Sequence, residues 1–545
     1  MKIKQFSLCV LSAIVMNQAF AQSTDKPVEP AFANQLENGF DLNFNDKNYR
    51  TVEALVNGLE IKYRAFENIV YVQNPVEPDY QTLNFYVPEA YFNGGEINGY
   101  NVENAPIFLP NSVGGYMPAK AKSPDTRPTG VKPIGNPTKK PAGIPEFPAD
   151  DPTGEKVQVP ARGNKPDTIL VALSKGYVVA SVGARGRTLG TEGNYTGKAP
   201  AAIIDLKSAV RYLHANNTKM AGDANKIIAN GTSAGGALSS LLGASANHAD
   251  YAKYFKALGA AEASDAIFAV SAYCPIINLE NADSAYEWEF NGVNEYSRMD
   301  MSKLNAQSYN DRAKGMLPKI EGSLSEQEIK LSEQLKAHFP AYLNSLNLTD
   351  EQGNRLTLDE KGNGSFKTYL TNIIATAADK AVQQGADLSK TTWVKMENSK
   401  VVGIDWDGYV KSDKRMKSPP AFDSLDLSSG ENNLFGDKLV NNKHFTKFSL
   451  DRSRVANAQL ADAEIVKVMN PMNYVENSVA AQHWRIRVGT ADRDTSHAVS
   501  AIFATKLKMV GKNVDYATPW AVPHSGDYDL DELFQWVDSI VKPTK

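Results

Sequence analysis

Cysteine is almost missing from this chain: there are two in 545 residues, Cys9 and Cys274. A disulfide scaffold is excluded, and because Cys9 falls in an N-terminal leader, Cys274 has no intrachain partner. Cys274 follows the strand-like run Val270-Ser271-Ala272-Tyr273, which suits a buried thiol packed as a small apolar group. Histidine is scarce as well, seven in all, and no Cys/His cluster has zinc-ligand spacing, so no metal or other cofactor is expected. An excess of one charge is also lacking. With 58 Lys and Arg against 62 Asp and Glu, the formal charge is −4, which argues against nucleic acid as a partner. Beyond the leader, no apolar run is long enough to cross a bilayer.

What is present starts with an export signal. Lys2 and Lys4 give a positive start, residues 6–16 are apolar but too short to span a membrane, and Ala19-Phe20-Ala21 is an A-x-A cleavage site. Residues 1–21 therefore read as a signal peptide, and the mature chain is expected in the periplasm or the medium. Cys9 sits in the middle of the apolar run with no small residue before it, which argues against a lipid anchor. Losing Lys2 and Lys4 makes the mature surface more acidic, and no membrane contact is expected of it.

The chain is 42% hydrophobic and 22% charged, enough to build a large core. Residues 61–72 and 83–87, rich in β-branched and aromatic side chains, mark an N-terminal strand pair. Residues 106–110 read as a buried strand that runs into Asn111-Ser112-Val113-Gly114-Gly115. Residues 118–166, rich in Pro, Gly and Lys, read as a long surface loop. Strands at 177–182, 226–230 and 266–270 then alternate with helices at 201–214 and 233–246, the pattern of a parallel sheet covered on both faces. The rhythm breaks at 275. A more polar, helix-rich segment runs to about 468, where Ser323 and Glu326 form a capping box for a helix toward His338. Alternation resumes with strands at 484–488 and 514–522 and helices at 499–510 and 529–541. The expected architecture is one α/β domain, in parts 35–274 and 469–545, interrupted by an insertion at 275–468.

Gly231-Thr232-Ser233-Ala234-Gly235 fits G-x-S-x-G. The pattern alone is weak, but here an apolar strand leads in and a helix of small residues leads out. Such a strand-to-helix elbow holds a serine strained and exposed above the sheet of an α/β-hydrolase fold. The Ala234 amide, at a helix N-terminus, faces developing negative charge, and Gly115 follows an earlier strand where a second oxyanion donor is expected. An ordinary glycine turn is the competing reading of Gly114-Gly115.

In this fold the order along the chain is nucleophile, acid, base. His214 precedes Ser233, His248 lies at the far end of the helix that Ser233 opens, His338 and His444 lie in the insertion, and His483 begins a strand. His524 sits just after the last strand, at the carboxyl edge of the sheet, with His497 as second choice. Asp492, in Gly489-Thr490-Ala491-Asp492 after the preceding strand, is the candidate for fixing the imidazole tautomer, with Asp494 as its rival. The insertion falls between Ser233 and Asp492, so it should cover the carboxyl edge as a lid.

Four stretches resemble bacterial tannases: Gly231 through Ser240, Tyr286-Glu287-Trp288-Glu289-Phe290, Pro419-Pro420-Ala421-Phe422-Asp423, and Gly489 through Asp494. The resemblance covers nearly the whole mature chain apart from the proline-rich loop and the tail. It implies an α/β-hydrolase core interrupted by a large lid, and cleavage of galloyl esters. It puts the triad on Ser233, Asp492 and His524, and the contacts to the galloyl hydroxyls on Lys417, Glu431 and Asp494. Three phenolic O–H donors suit carboxylate acceptors and a lysine. Read without the resemblance, Lys417 and Glu431 are lid surface charges. Fungal tannases and feruloyl esterases carry cysteines beside the serine and histidine, where this chain has Thr232 and Pro523. The expected partner is a small phenolic ester. The alternatives are another aryl ester, such as a hydroxycinnamate, hydrolysed by the same triad, and a polyphenol binder without activity.

Overall fold

The structure is a computed structural model; it describes residues 39–124, 167–300 and 318–542, and a two-residue strand at Gln35–Leu36. The signal peptide and residues 125–166 of the proline-rich loop lie outside the described residues.

The centre of the molecule is a nine-stranded sheet. In chain order its strands are β1 (Arg50–Val56), β2 (Leu59–Val70), β3 (Thr82–Pro88), β4 (Pro106–Pro110), β5 (Val178–Val182), β6 (Asp223–Thr232), β7 (Ala269–Tyr273), β8 (His483–Arg487) and β9 (Asn513–Ala517). Across the sheet they run β9-β8-β7-β6-β4-β5-β3-β2-β1. The six strands from β9 to β5 are mutually parallel, and β3, β2 and β1 join antiparallel. The sheet is therefore mostly parallel, as expected, with an antiparallel flank, and β1, with its Arg and Glu among the apolar residues, is a strand the sequence pattern does not single out. β4, β5 and β7 are short, apolar and buried along almost their whole length, and so is the 227–231 part of the longer β6, as befits parallel strands covered on both faces.

Helix α1 (Thr168–Ser174) precedes β5, α2 (Ala201–Ala215) precedes β6, and α3 (Ala234–Ala244) follows it. The insertion leaves the sheet at Tyr273 and returns at His483. It holds α4 (Leu279–Phe290), α5 (Glu326–Ser345) and α6 (Ser365–Gln383), along with short helices and two small hairpins. The chain closes with α7 (His497–Met509) and α8 (Leu530–Val541).

Three expectations need correction. The capping box is Ser325 with Glu328, not Ser323 with Glu326: Ser323 is paired with Glu295 in a hairpin, so the helix cannot open there. The strand expected at 266–270 lies at Ala269–Tyr273, because it pairs in register with β6 through Ile228↔Ala269 and Thr232↔Tyr273. The last strand ends at Ala517 rather than 522, because residues 518–522 turn back over the loop after β8.

Insertion and core share one continuous hydrophobic cluster, and α4 is the joint. Its residues Tyr286 to Glu289 each reach a distant segment, Tyr286 and Glu287 sharing residues 415–417. The Tyr286 hydroxyl donates to Arg493 O at 2.7 Å and accepts from the amides of Met416 and Lys417 at 3.2 Å. Glu287 pairs with Arg415 through both guanidinium nitrogens, neither side chain being exposed. Trp288 Nε1 donates to Gly362 O at 3.0 Å. Glu289 accepts from Ser496 Oγ at 2.7 Å and the His497 amide at 2.8 Å, and meets His497 Nδ1 at 2.8 Å.

A buried ion pair is costly to break from one side, because the surviving charge is left without its partner. Glu287→Gln is expected to lower unfolding free energy by about 3–5 kcal/mol, read from the urea midpoint at constant slope. A change near that of a surface substitution would mean that Arg415 is held by its other contacts.

Candidate active site

Because β5, β4, β6, β7, β8 and β9 are parallel, the residues following each emerge at one edge. After β6, Ser233 has φ 61° and ψ −122°, the strained turn expected of an elbow, and its amide donates to Tyr273 O at 2.9 Å. After β4, Asn111 Nδ2 donates to Gly235 O and Ser239 Oγ, both at 2.9 Å, and so fastens the next loop to the first turn of α3. In that loop Gly115 and Tyr116 both have φ 54°. Among the described residues, no hydrogen bond takes up either of their amides.

After β8 and β9, two loops are stitched together. Thr490 N donates to Pro519 O at 2.9 Å, Ala491 N to Val522 O at 3.2 Å, and Ala521 N to Thr490 Oγ1 at 2.7 Å. A β-carbon at Gly489 would stand 1.8 Å from Val522 O, so only glycine allows the approach. The stitch sets fully buried Asp492 against His524, with Asp492 Oδ2 2.8 Å from the imidazole Nδ1. Asp527 pins the far side of the histidine loop, accepting from Asn230 Nδ2 at 2.9 Å and Thr168 Oγ1 at 2.8 Å. Gly526 packs against Thr232, where a β-carbon would come within 1.9 Å of Oγ1. The imidazole is thereby held beside the elbow. Its Nε2 lies 3.9 Å from Cys274 Sγ and 3.8 Å from Asp494 Oδ2, and it makes no hydrogen bond to the Ser233 hydroxyl.

Burial disfavours the imidazolium, but the Asp492 carboxylate, with Cys274 and then Asp494 adding to it, outweighs this and holds His524 well above the ordinary histidine range. Burial also opposes the Asp494 carboxylate; the Lys417 ammonium, 3.3 Å away, keeps it below the usual range. Lys417 Nζ lies in addition 3.8 Å from the centre of the Phe422 ring. No other described residue donates a hydrogen bond to the Glu431 carboxylate. Burial pushes its carboxyl up, against the pull of Lys417 and Arg187. Lys417, Asp494 and His524 thus form one chain of close contacts, with Glu431 in electrostatic range of it. Cys274 is buried as expected, and burial pushes its thiol up. Its place against the imidazole was not foreseen.

A family model described as BD-FAE matches residues 157–318. Comparison with curated proteins gave no match. Among solved structures, the tannase of Fusobacterium nucleatum is 54% identical with a TM-score of 0.83, the match covering 92% of this chain and 100% of that one. A Lactobacillus plantarum tannase is 43% identical with a TM-score of 0.81, covering 92% and 100%. A tannin acyl hydrolase in complex with ethyl gallate is 44% identical with a TM-score of 0.78, covering 92% and 99%.

This chain belongs to the tannase family. It is therefore a carboxylic-ester hydrolase of the α/β-hydrolase fold with a lid. His497 is fully buried, its Nδ1 against Glu289 and its Nε2 2.9 Å from Gly489 O, so both ring nitrogens have partners within the protein. Asp494 does not compete with Asp492 for the imidazole Nδ1; it faces Nε2 and Lys417. Two residues of this tannase that sequence reasoning passed over are Asn111 and Arg187. Asn111 stood in view beside the glycine pair, but its hold on α3 depends on an approach of distant segments. Among the described residues no helix is long and apolar enough to cross a membrane.

A base must be neutral to take a proton, and a raised imidazole stays protonated to higher pH. Therefore kcat/KM should rise with pH through an apparent pKa above the ordinary 6.5. Asp494→Asn removes a negative charge beside Nε2, lowers that pKa, and should move the acid limb to lower pH. A limb that stays put or moves upward in this variant would contradict the assignment.

Proposed function

We propose that this tannase hydrolyses esters of gallic acid through an acyl-enzyme formed on Ser233. The observation that carries this reading is the set of Lys417, Asp494 and Glu431, charged groups at the lid–core junction beside the imidazole. Ser233 Oγ attacks the ester carbonyl as His524 Nε2 takes its proton. Asp492 holds the tautomer and stabilises the imidazolium. The amides of Ala234 and Gly115 receive the oxyanion. The protonated imidazole then gives its proton to the leaving alcohol, and a water activated by the same nitrogen releases gallate. The serine–histidine hydrogen bond forms as substrate closes the site, as is common for contacts that are loose in the free enzyme.

The acyl ring carries three hydroxyl donors. Asp494 is already drawn to Lys417, and Glu431 has an unused carboxylate; both are acceptors for phenolic O–H, and the lysine ammonium donates to a phenolic oxygen. A ring without hydroxyls would leave the buried Glu431 carboxylate without a partner and bring the Lys417–Asp494 pair no new one, which is how such a site rejects it. The enzyme acts outside the cytoplasm after removal of residues 1–21, on a small phenolic ester and without a cofactor.

Ser233→Ala should lower kcat on methyl gallate by about 10⁴-fold or more while leaving the urea midpoint unchanged. Retained turnover would exclude the serine. In a panel of methyl gallate, methyl ferulate and methyl benzoate, gallate should lead benzoate by at least about 10²-fold in kcat/KM. Lys417→Ala and Glu431→Ala should each shrink that lead. An unchanged lead in both variants, or ferulate in front, would overturn the galloyl reading.

A further inference from the structure

Arg187 is buried, 7% exposed, and among the described residues no carboxylate lies within ion-pair distance of it. The acceptors of its side chain and amide are all neutral, and they come from both sides of the site. Its Nε donates to Gly115 O at 2.7 Å, and its amide donates to Tyr116 O at 2.9 Å. On the lid side, NH1 donates to Asn433 Oδ1 at 3.1 Å, within the short helix Gly430–Leu434 that carries Glu431. The guanidinium also lies flat on that helix, since a β-carbon at Gly430 would be 3.3 Å from its Cζ, Nε and NH2. Its own carbonyl accepts from Lys198 Nζ at 2.7 Å, and the same ammonium donates to Asn441 Oδ1 at 2.7 Å, back in the lid. A buried guanidinium with no carboxylate in contact, only Glu431 in electrostatic range, is costly, so its retention at this junction calls for a function.

We propose that Arg187 is a positioning residue that couples the ring-binding helix to the oxyanion loop, so that an occupied ring site sharpens the oxyanion hole. The physical link is short. In a trans peptide the carbonyl and N–H point to opposite sides. By holding Gly115 O, Arg187 Nε turns the Tyr116 amide away from itself, and by holding Tyr116 O, the Arg187 amide fixes the peptide of Met117, whose own N–H donates to Gly114 O at 3.0 Å and so sets the peptide that carries the Gly115 N–H. Both carbonyls belong to the pair of left-handed residues whose amides have no partner among the described residues. A ring hydroxyl that draws Glu431 inward moves the helix on which the guanidinium rests, and the displacement reaches Gly115 through one side chain. Substrates with no ring leave this path unused. The inference rests on the reading of Ser233, His524 and the oxyanion loop given above, and adds a route by which acyl recognition enters kcat rather than KM.

The test is steady-state kinetics of Arg187→Gln, Arg187→Lys and Gly430→Ala on two esters. One is the aryl ester the wild type turns over fastest, so that a failure of galloyl preference leaves the comparison intact. The other is 4-nitrophenyl acetate, which has no acyl ring. Arg187→Gln should lose about tenfold or more in kcat on the aryl ester, with less than a threefold change in KM, and at most about threefold on the acetate. Arg187→Lys, which keeps one donor to Gly115 O, should fall between. Gly430→Ala keeps every hydrogen-bonding group and displaces the guanidinium by tenths of an ångström, so it should show the same pattern if Arg187→Gln fails to fold. Combined with Glu431→Gln, the Arg187→Gln loss on the aryl ester should be less than multiplicative. Equal losses on both esters, a loss confined to KM, or multiplicative effects in the double variant would each overturn the coupling. Only turnover by Ser233→Ala would overturn the underlying site.

Discussion

Everything at the site depends on strand direction. Six neighbouring strands run the same way, so the residues following β4, β6, β7, β8 and β9 arrive at one edge although they lie far apart in the chain. The elbow serine, the asparagine that braces the loop opposite it, the buried thiol, the acid and the imidazole each come from a different strand end. Reversing any one of these strands would carry its residue to the other edge. The antiparallel strands β1 to β3 sit at one flank, contribute no side chain to the site, and extend the sheet without disturbing this arrangement.

The lid is held by buried polar contacts as much as by apolar packing. Three residues of α4 bond to segments beside the site: Tyr286 to the backbone of Lys417 and Arg493, Glu287 to Arg415, Glu289 to the start of α7. Asp423 works in the same way further on. It accepts from Thr446 Oγ1 at 2.7 Å, the Thr446 amide at 2.8 Å and Asn432 Nδ2 at 2.7 Å, and it fixes the segment next to Glu431. Groups this deep in a low-dielectric interior tolerate little displacement, because each has a defined partner and no water to replace it. Such a lid can hold charged residues at fixed positions over the edge of the sheet, which a loosely packed one could not.

Charge at the junction is balanced with few groups. Lys417 faces Asp494, Asp494 faces the imidazole, and Glu431 feels both Lys417 and Arg187 without touching either in an ion pair. A carboxylate left in that condition still has acceptor capacity, the property required for recognising hydroxyl donors.

The core was largely legible in the amino-acid sequence. The short apolar strands, the glycine-flanked serine between strand and helix, and the order of serine, aspartate and histidine are local signals, and each follows from backbone sterics or from the burial of parallel strands on both faces. The same local signals misplaced the capping box and the strand before Cys274, where two registers fit equally well and pairing with Glu295 and with β6 chose between them. Lys417 and Glu431 could be singled out only through resemblance to a family, since a charged residue in a polar insertion looks the same whether it faces solvent or substrate. Asn111, Arg187 and the position of Cys274 against the imidazole belong wholly to the tertiary structure. Their roles lie in contacts across dozens to hundreds of residues, and no local periodicity or spacing records which distant carbonyl a side chain will meet.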